Sequence, residues 1–232
     1  MSGLGPPDPP LVDAAAGIVL RPWRPADTAA LAAAWAEPEI AAGVSVPADR
    51  SDAAAARWIG GWSARVESGA ALDLVIAPAF EADDVWGEVG LRPLRPLRPR
   101  TAAAGSPALT QPVLEAGWWV RVEHRGRGVA SAAVCLMVGW ALGSAGRGAG
   151  AAQVVARIQP GNVASAAVAT RVGLSKVGRL PDGRNLWVRS VAASTVFGSL
   201  APPCAAKEPK TPGGGARPAP SGPGPRGGTV PS

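Results

Sequence analysis

The sequence predicts an α/β fold, a mixed and mostly antiparallel sheet flanked by helices, from three observations. Apolar runs of strand length alternate with runs of helix length through most of the chain. Gly117-Trp118-Trp119-Val120 leads through Arg125-Gly126-Arg127-Gly128 into the uncharged run Val129 to Leu142, so a strand breaks at glycines and restarts as a helix. Pro181-Asp182-Gly183 separates two short β-prone runs, and Asp-Gly is a strong hairpin signal.

Taken in order, residues 17–23 read as a strand, and Pro25-Ala26-Asp27 as a turn in which Asp27 caps a helix over 28–36. Ser51 or Asp52 is placed to cap a second helix reaching residue 66, with Trp58 and Trp62 four apart on one face. Strands are expected over 71–77, 85–91 and 113–122. A helix over 128–142, a strand over 152–158 and a helix over 163–172 follow, and the hairpin closes the series over 175–190. The nine tryptophans, with no tyrosine, are expected mainly as core fillers.

The body spans residues 17–191 and reads as one domain of ordinary size. Residues 1–16 and 192–232 are rich in Pro, Gly and Ala without periodicity, and too little apolar surface is present there to offset the entropy of ordering. Both are expected to be disordered. Residues 93–112 read as a low-complexity basic insertion. It continues a triple Leu-Arg-Pro repeat in which Arg92, Arg95 and Arg98 would share one edge of a polyproline II helix. That ridge is either a docking surface for an anionic partner or a solvated loop.

Several function classes are excluded. Half of the formal charge of +6 comes from the tail, where Lys207, Lys210, Arg217 and Arg226 oppose Glu208, so no basic face for specific nucleic-acid binding is expected. Two cysteines 69 positions apart are too few for a disulfide framework, and with a single histidine they cannot assemble a zinc site of ordinary spacing, so no metal is expected. The uncharged run from Gly128 approaches membrane-spanning length, but Gly and Ser interrupt it, and a buried core helix accounts for it. No secretory signal is evident, and the protein reads as cytoplasmic. Neither a phosphate loop ending in Gly-Lys-Ser/Thr nor a Gly-x-Ser-x-Gly elbow occurs.

What remains is the glycine corner. A helix N-terminus offers free N–H groups and a positive dipole end, and glycines let an anion approach the backbone. The residues alone allow two readings, a phosphate site or a solvated basic loop.

The neighbouring stretches resemble the GNAT N-acetyltransferase superfamily, and within it the branch of ribosomal-protein N-terminal acetyltransferases. Arg125, Gly128 and Ala130 match its Arg-x-x-Gly-x-Ala pattern, and Gly117 to Val120 match the strand before it. Asn162 and Ser165 match its Asn-x-x-Ser helix start, Val172-Gly173-Leu174 the end of that helix, and Ile18 to Asp27 its first strand and turn.

The resemblance implies acetyl-CoA as cofactor and a sheet splayed open at its site. The pantetheine arm would lie along the strand at Val120 and Val122, with backbone N–H groups near Val120 polarising the thioester. The pyrophosphate would rest on Arg125, Gly126, Arg127, Gly128, Val129 and Ala130, with Arg125 and Arg127 adding charge at the rim. Asn162 would tie the opposite strand to the cofactor arm. Ser165 would protonate the departing thiolate, a proton that relatives elsewhere take from a tyrosine, which this chain lacks. Glu115 is the expected general base, with Glu88 on the neighbouring strand as the other candidate, and His124 is expected at the rim.

The expected reaction is direct acetyl transfer to a primary amine, that of a protein or peptide N-terminus. A small-molecule amine such as an aminoglycoside or polyamine is the alternative acceptor. A CoA-binding module without catalysis is the alternative class.

Overall fold

The computed structural model describes residues 4–94, 112–143 and 148–191. The elements are β1 (Leu11–Asp13), β2 (Ile18–Arg21), α1 (Thr28–Ala36), α2 (Pro38–Gly43), α3 (Asp52–Gly60), α4 (Trp62–Glu67), β3 (Leu72–Pro78), β4 (Gly87–Leu94), β5 (Val113–Val120), α5 (Val129–Leu142), β6 (Gln153–Ile158), α6 (Val163–Arg171), β7 (Ser175–Arg179) and β8 (Asn185–Ser190). Eight strands form one sheet in the order β1-β2-β3-β4-β5-β6-β8-β7. Every pairing is antiparallel except β5 with β6. This is the expected α/β fold.

Strand alternation sends side chains to two faces. One carries Leu72, Leu74, Ile76, Val89, Leu91, Leu114 and Ala116, packed under α5 and α6 with Val134, Met137 and Val138. α5 is buried along one face and partly covered around the rest, with only Gly139 exposed, which is why its sequence carries no charge. The other face carries Val75, Ala77 and Trp119 under Leu31, Trp35, Ile40 and Ile59 of α1 to α3. Unlike the first face, it also carries charged residues, Asp73, Glu88 and Arg92.

Several expectations are corrected. Within the segment expected to be disordered over 1–16, residues 11–13 form β1 on the edge of β2, and Leu4 is buried in the core. The chain reverses there because Asp13 Oδ1 accepts a hydrogen bond from Ala16 N–H at 2.9 Å. Pro93 and Leu94, assigned to the insertion, belong to β4. Residues 95–111 of that insertion, Arg95 and Arg98 included, and the tail over 192–232 lie outside the described residues.

The single helix expected up to residue 66 is two, because Gly60-Gly61 interrupts it between α3 and α4. Ser51 caps α3 through Ala54 N–H, whereas Asp27 makes no cap bond to α1. α2 was not anticipated. Among the described residues, no helix is long and apolar enough to cross a membrane.

Asp27 is instead the centre of a buried ion pair. Its carboxylate accepts from both Arg21 Nη atoms at 2.7 and 2.8 Å, and from Arg24 N–H at 2.8 Å. Arg21 Nε also donates to Ala82 O at 2.5 Å, so one guanidinium joins β2, the turn before α1 and the loop between β3 and β4. Removing one member leaves a buried charge without its partner, at a cost of about 3–5 kcal/mol. Asp27→Asn is therefore expected to destabilise the fold by roughly that amount in urea unfolding, and Arg21→Met with Asp27→Leu together by clearly less. Wild-type stability in the single variant would contradict the assignment.

Candidate active site

β5 and β6 pair only over three residues, Val113, Leu114 and Glu115 with Gln153, Val154 and Val155. Beyond Glu115 the two strands diverge while each keeps its outer partner, β4 or β8. Arg121 N–H donates to Trp86 O at 2.9 Å, next to the Gly87–Val120 register pair. Alternation along an antiparallel ladder then turns Trp119 and Gly117 toward β4. The N–H groups of Trp118 and Val120 face the other way, into the fork.

The fork leads to the glycine corner. Gly126 and Gly128 have φ of +75° and +86°, a conformation that other residues adopt at a cost. A Cβ built on either would meet nothing within 4 Å, so an open cradle lies over the turn. Gly128 is the N-cap of α5 and supplies no side chain to cap it. The N–H groups of Val129, Ala130 and the rest of the first turn thus lack acceptors within the helix. These features fit a diphosphate.

Arg125 departs from its expected place at the rim. Its Nε donates to Val120 O at 2.7 Å and its Nη2 to Glu37 Oε2 at 2.8 Å. The same Glu37 oxygen accepts from Val122 N–H at 3.3 Å, so both of these expected cofactor donors already have a carboxylate partner. Arg125 therefore clamps the turn to the end of β5 and to the α1–α2 junction. Arg127 stays exposed at the corner and remains available as a rim charge. His124 stacks on Trp86 with ring centroids 4.7 Å apart, and burial lowers its pKa, which suits a neutral packing residue at the rim.

On the opposite lip, Asn162 Oδ1 accepts from Ser165 N–H at 2.9 Å, an N-cap for α6. Asn162 is thus a cap residue, and its Nδ2 points toward Gly43 at the end of α2. Ser165 is half-buried in the first turn of α6, and its hydroxyl makes no hydrogen bond among the described residues.

Glu115, the expected general base, is otherwise engaged. Arg157 Nε and Nη2 donate to its two oxygens at 2.5 Å each, a bidentate pair across the point where β5 and β6 part. A carboxylate held in this fork-to-fork geometry has both oxygens committed to one guanidinium. The residue expected as the base is thus the acceptor of a two-point ion pair. Arg157, the lone charge in an otherwise apolar strand run, was the sequence signal for this pair.

Glu88 lies elsewhere on the same face, opposite Trp119 in register. It lines a pocket of about 260 Å³ with Asp73, Arg65, Arg92, Trp35, Trp58 and Trp119, closed on one side by Val44, Ser45 and Pro47 of the α2–α3 loop. Burial first, and then the neighbouring Asp73 carboxylate, hold Glu88 well above the ordinary glutamate range. Arg65 Nε approaches Asp73 Oδ2 at 3.5 Å while its guanidinium lies 4.0 Å over the Trp58 ring.

This architecture matches known proteins. The model of the GNAT acetyltransferase domain family matches residues 18–175. No curated protein matches the sequence. Among solved structures, Mycobacterium smegmatis RimJ in complex with CoA-disulfide is similar at 20% identity and a TM-score of 0.59, over 75% of this chain and 83% of that one. The ribosomal-protein-S5-alanine acetyltransferase of Vibrio fischeri is similar at 14% identity and a TM-score of 0.58, over 75% and 93% of the two chains. RimL, the ribosomal L7/L12 α-N-protein acetyltransferase, in complex with coenzyme A, is similar at 16% identity and a TM-score of 0.58, over 77% and 96%. At these identities the likenesses establish the fold, and the domain match over most of the body establishes the family: the chain belongs to the GNAT acetyltransferases.

Proposed function

We propose that this N-acetyltransferase transfers the acetyl group of acetyl-CoA to the α-amine of a protein or peptide N-terminus. The observation that carries the reading is the fork, whose free N–H edge at Trp118 and Val120 runs to the uncapped first turn of α5. The acceptor class is supported by the names of two of the similar structures, a ribosomal-protein-S5-alanine acetyltransferase and a ribosomal L7/L12 α-N-protein acetyltransferase.

In this reading the N–H groups of Gly126, Arg127, Gly128, Val129 and Ala130 hold the diphosphate at the positive end of α5, with the Arg127 side chain adding charge. Val120 N–H donates to the thioester oxygen, where negative charge grows during transfer. Bound acetyl-CoA supplies the activated acetyl group and a thiolate leaving group. Ser165 Oγ–H supplies that thiolate with a proton, and Asn162 fixes the turn that carries Ser165. Arg125 and Glu37 hold the corner rigid and do not touch the cofactor.

Gly128→Glu places a carboxylate in the diphosphate cradle and is expected to weaken acetyl-CoA binding about 100-fold or more in calorimetry, since its charge would lie against the like-charged diphosphate. Gly128→Ala carries the same positive-φ cost, about 1–2 kcal/mol, without the charge, and is expected to retain most of the affinity. Equal affinity for the Glu variant and the wild type would remove the diphosphate from this corner.

Ser165→Ala is expected to lower kcat by about 100-fold, the scale of a lost general acid, with little change in acetyl-CoA affinity. Unchanged turnover would take Ser165 out of the reaction. A thiol-release screen of N-terminal peptides against aminoglycosides and polyamines tests the acceptor. Turnover with small amines alone would overturn the peptide reading, and acetyl-CoA binding without any turnover would favour a non-catalytic module.

A further inference from the structure

We infer that Arg92 selects acceptors with an acidic side chain at their second or third residue, by holding that carboxylate at the exposed end of the tryptophan-walled pocket. The inference rests on the peptide N-terminus reading and adds which N-termini the enzyme takes. It starts from what the pocket can hold. At about 260 Å³ it is smaller than the roughly 300–1,000 Å³ of sites that enclose a drug-sized molecule, so it suits the end of a chain better than a whole aminoglycoside.

The strands beneath it leave a path. Glu88, Gly90 and Arg92 of β4 face the same way as Trp119, Gly117 and Glu115, their register partners on β5. Gly117 is exposed, and a Cβ built on it would meet nothing within 4 Å, so a gap without side chains separates Trp119 from Glu115 along β5.

The charges decide what fits. Four charged side chains line the pocket, Arg65, Asp73, Glu88 and Arg92. Arg65 Nε faces Asp73 Oδ2 at 3.5 Å, so these two offset each other. Glu115, which lies opposite Arg92 in register, has both oxygens taken by Arg157. Arg92 is therefore exposed and, among the described residues, has no carboxylate within ion-pair distance. Burial and the neighbouring Asp73 favour the protonated form of Glu88, which tilts the pocket further toward positive charge. Such a surplus disfavours a polycation such as a polyamine and favours a carboxylate, to which a guanidinium offers two parallel donors.

Distance sets the position of that carboxylate. Glu88 is opposite Trp119, the neighbour of Val120 at the fork, and Arg92 lies four residues further along β4, about 13 Å at the rise of a strand. The arms of an arginine and of an acidic side chain shorten this span to two or three residues of an extended acceptor, each advancing about 3.4 Å.

The test uses the full chain and three N-terminal peptides that carry Asp, Asn or Lys at the second and third residues. Thiol release reads turnover, and intrinsic tryptophan fluorescence with CoA present reads peptide binding without it. The wild type is expected to favour the Asp peptide over the Asn peptide about tenfold in both kcat/KM and Kd, the scale of a hydrogen bond to a charged group, with the Lys peptide weaker still. Arg92→Gln is expected to erase this preference and Arg92→Glu to invert it toward Lys, each with unchanged acetyl-CoA affinity in calorimetry. Inversion is a result that a merely structural role for Arg92 would not produce.

Equal treatment of the three peptides by the wild type, or an Asp preference that persists in Arg92→Glu, would overturn the inference while peptide turnover left the acceptor reading intact. Acidic peptides bound with the expected preference but never acetylated would overturn the acceptor reading and uphold selection by Arg92. Turnover of small amines alone, with no binding of any peptide, would sink both.

Discussion

Everything at the site depends on β5 and β6 parting after three residue pairs. A sheet that stayed closed would spend the N–H groups of Trp118 and Val120 on β6 and leave no donors for a ligand. The parted strands instead keep those groups directed at a slot, where a backbone donor without a partner costs free energy until something accepts from it. The Glu115–Arg157 pair stands at the vertex of this slot, with Glu115 mostly buried and Arg157 about one-third exposed. It closes the fork on the face away from α5 and joins two strands that no longer share a ladder. A charge pair suits this place because removing either partner would strand the other.

The same logic organises the rest of the charged face. Asp27 is consumed by Arg21, Glu37 by the corner, and Glu115 by the vertex. The last two join elements far apart in the chain, and each of the three turns a carboxylate from a reactive group into a tie. Glu37 shows the consequence for the cofactor loop. By taking Arg125 and Val122 N–H together, it fixes the path of residues 121–125 from below, so the glycines at 126 and 128 rise into open space. Rigidity in the clamp and openness in the cradle come from one set of contacts.

The fold was legible where the sequence is locally decisive. The uncharged run of α5, the break at Gly126 and Gly128, the Ser51 cap and the Asp182-Gly183 hairpin turn each carry a short-range signal. β1 was not legible, because three residues beside prolines carry no usable period and its register comes from pairing with β2. α2 had a signal that was missed, since Pro38 at the first helical position is a favoured start.

The site was less legible than the fold for a physical reason. Arg157 reaches Glu115 from 42 positions away, and Arg125 reaches Glu37 from 88. The sequence placed Glu115 and Arg125 among the expected site residues, but their partners decide what they do, and long-range partners are a property of the folded sheet.

Asn162 shows why a structural role and a functional one need not compete. Its side chain caps α6 by accepting from Ser165 N–H, an interaction typical of any helix start. That bond also fixes the first turn of α6, which carries Ser165, relative to the end of β6. The chain has no tyrosine to deliver that proton. A short hydroxyl can serve only if its backbone is placed closely, and the cap is what places it. In the proposed reaction the cap therefore acts on chemistry through geometry alone, as a positioning contact one bond removed from the proton it helps deliver.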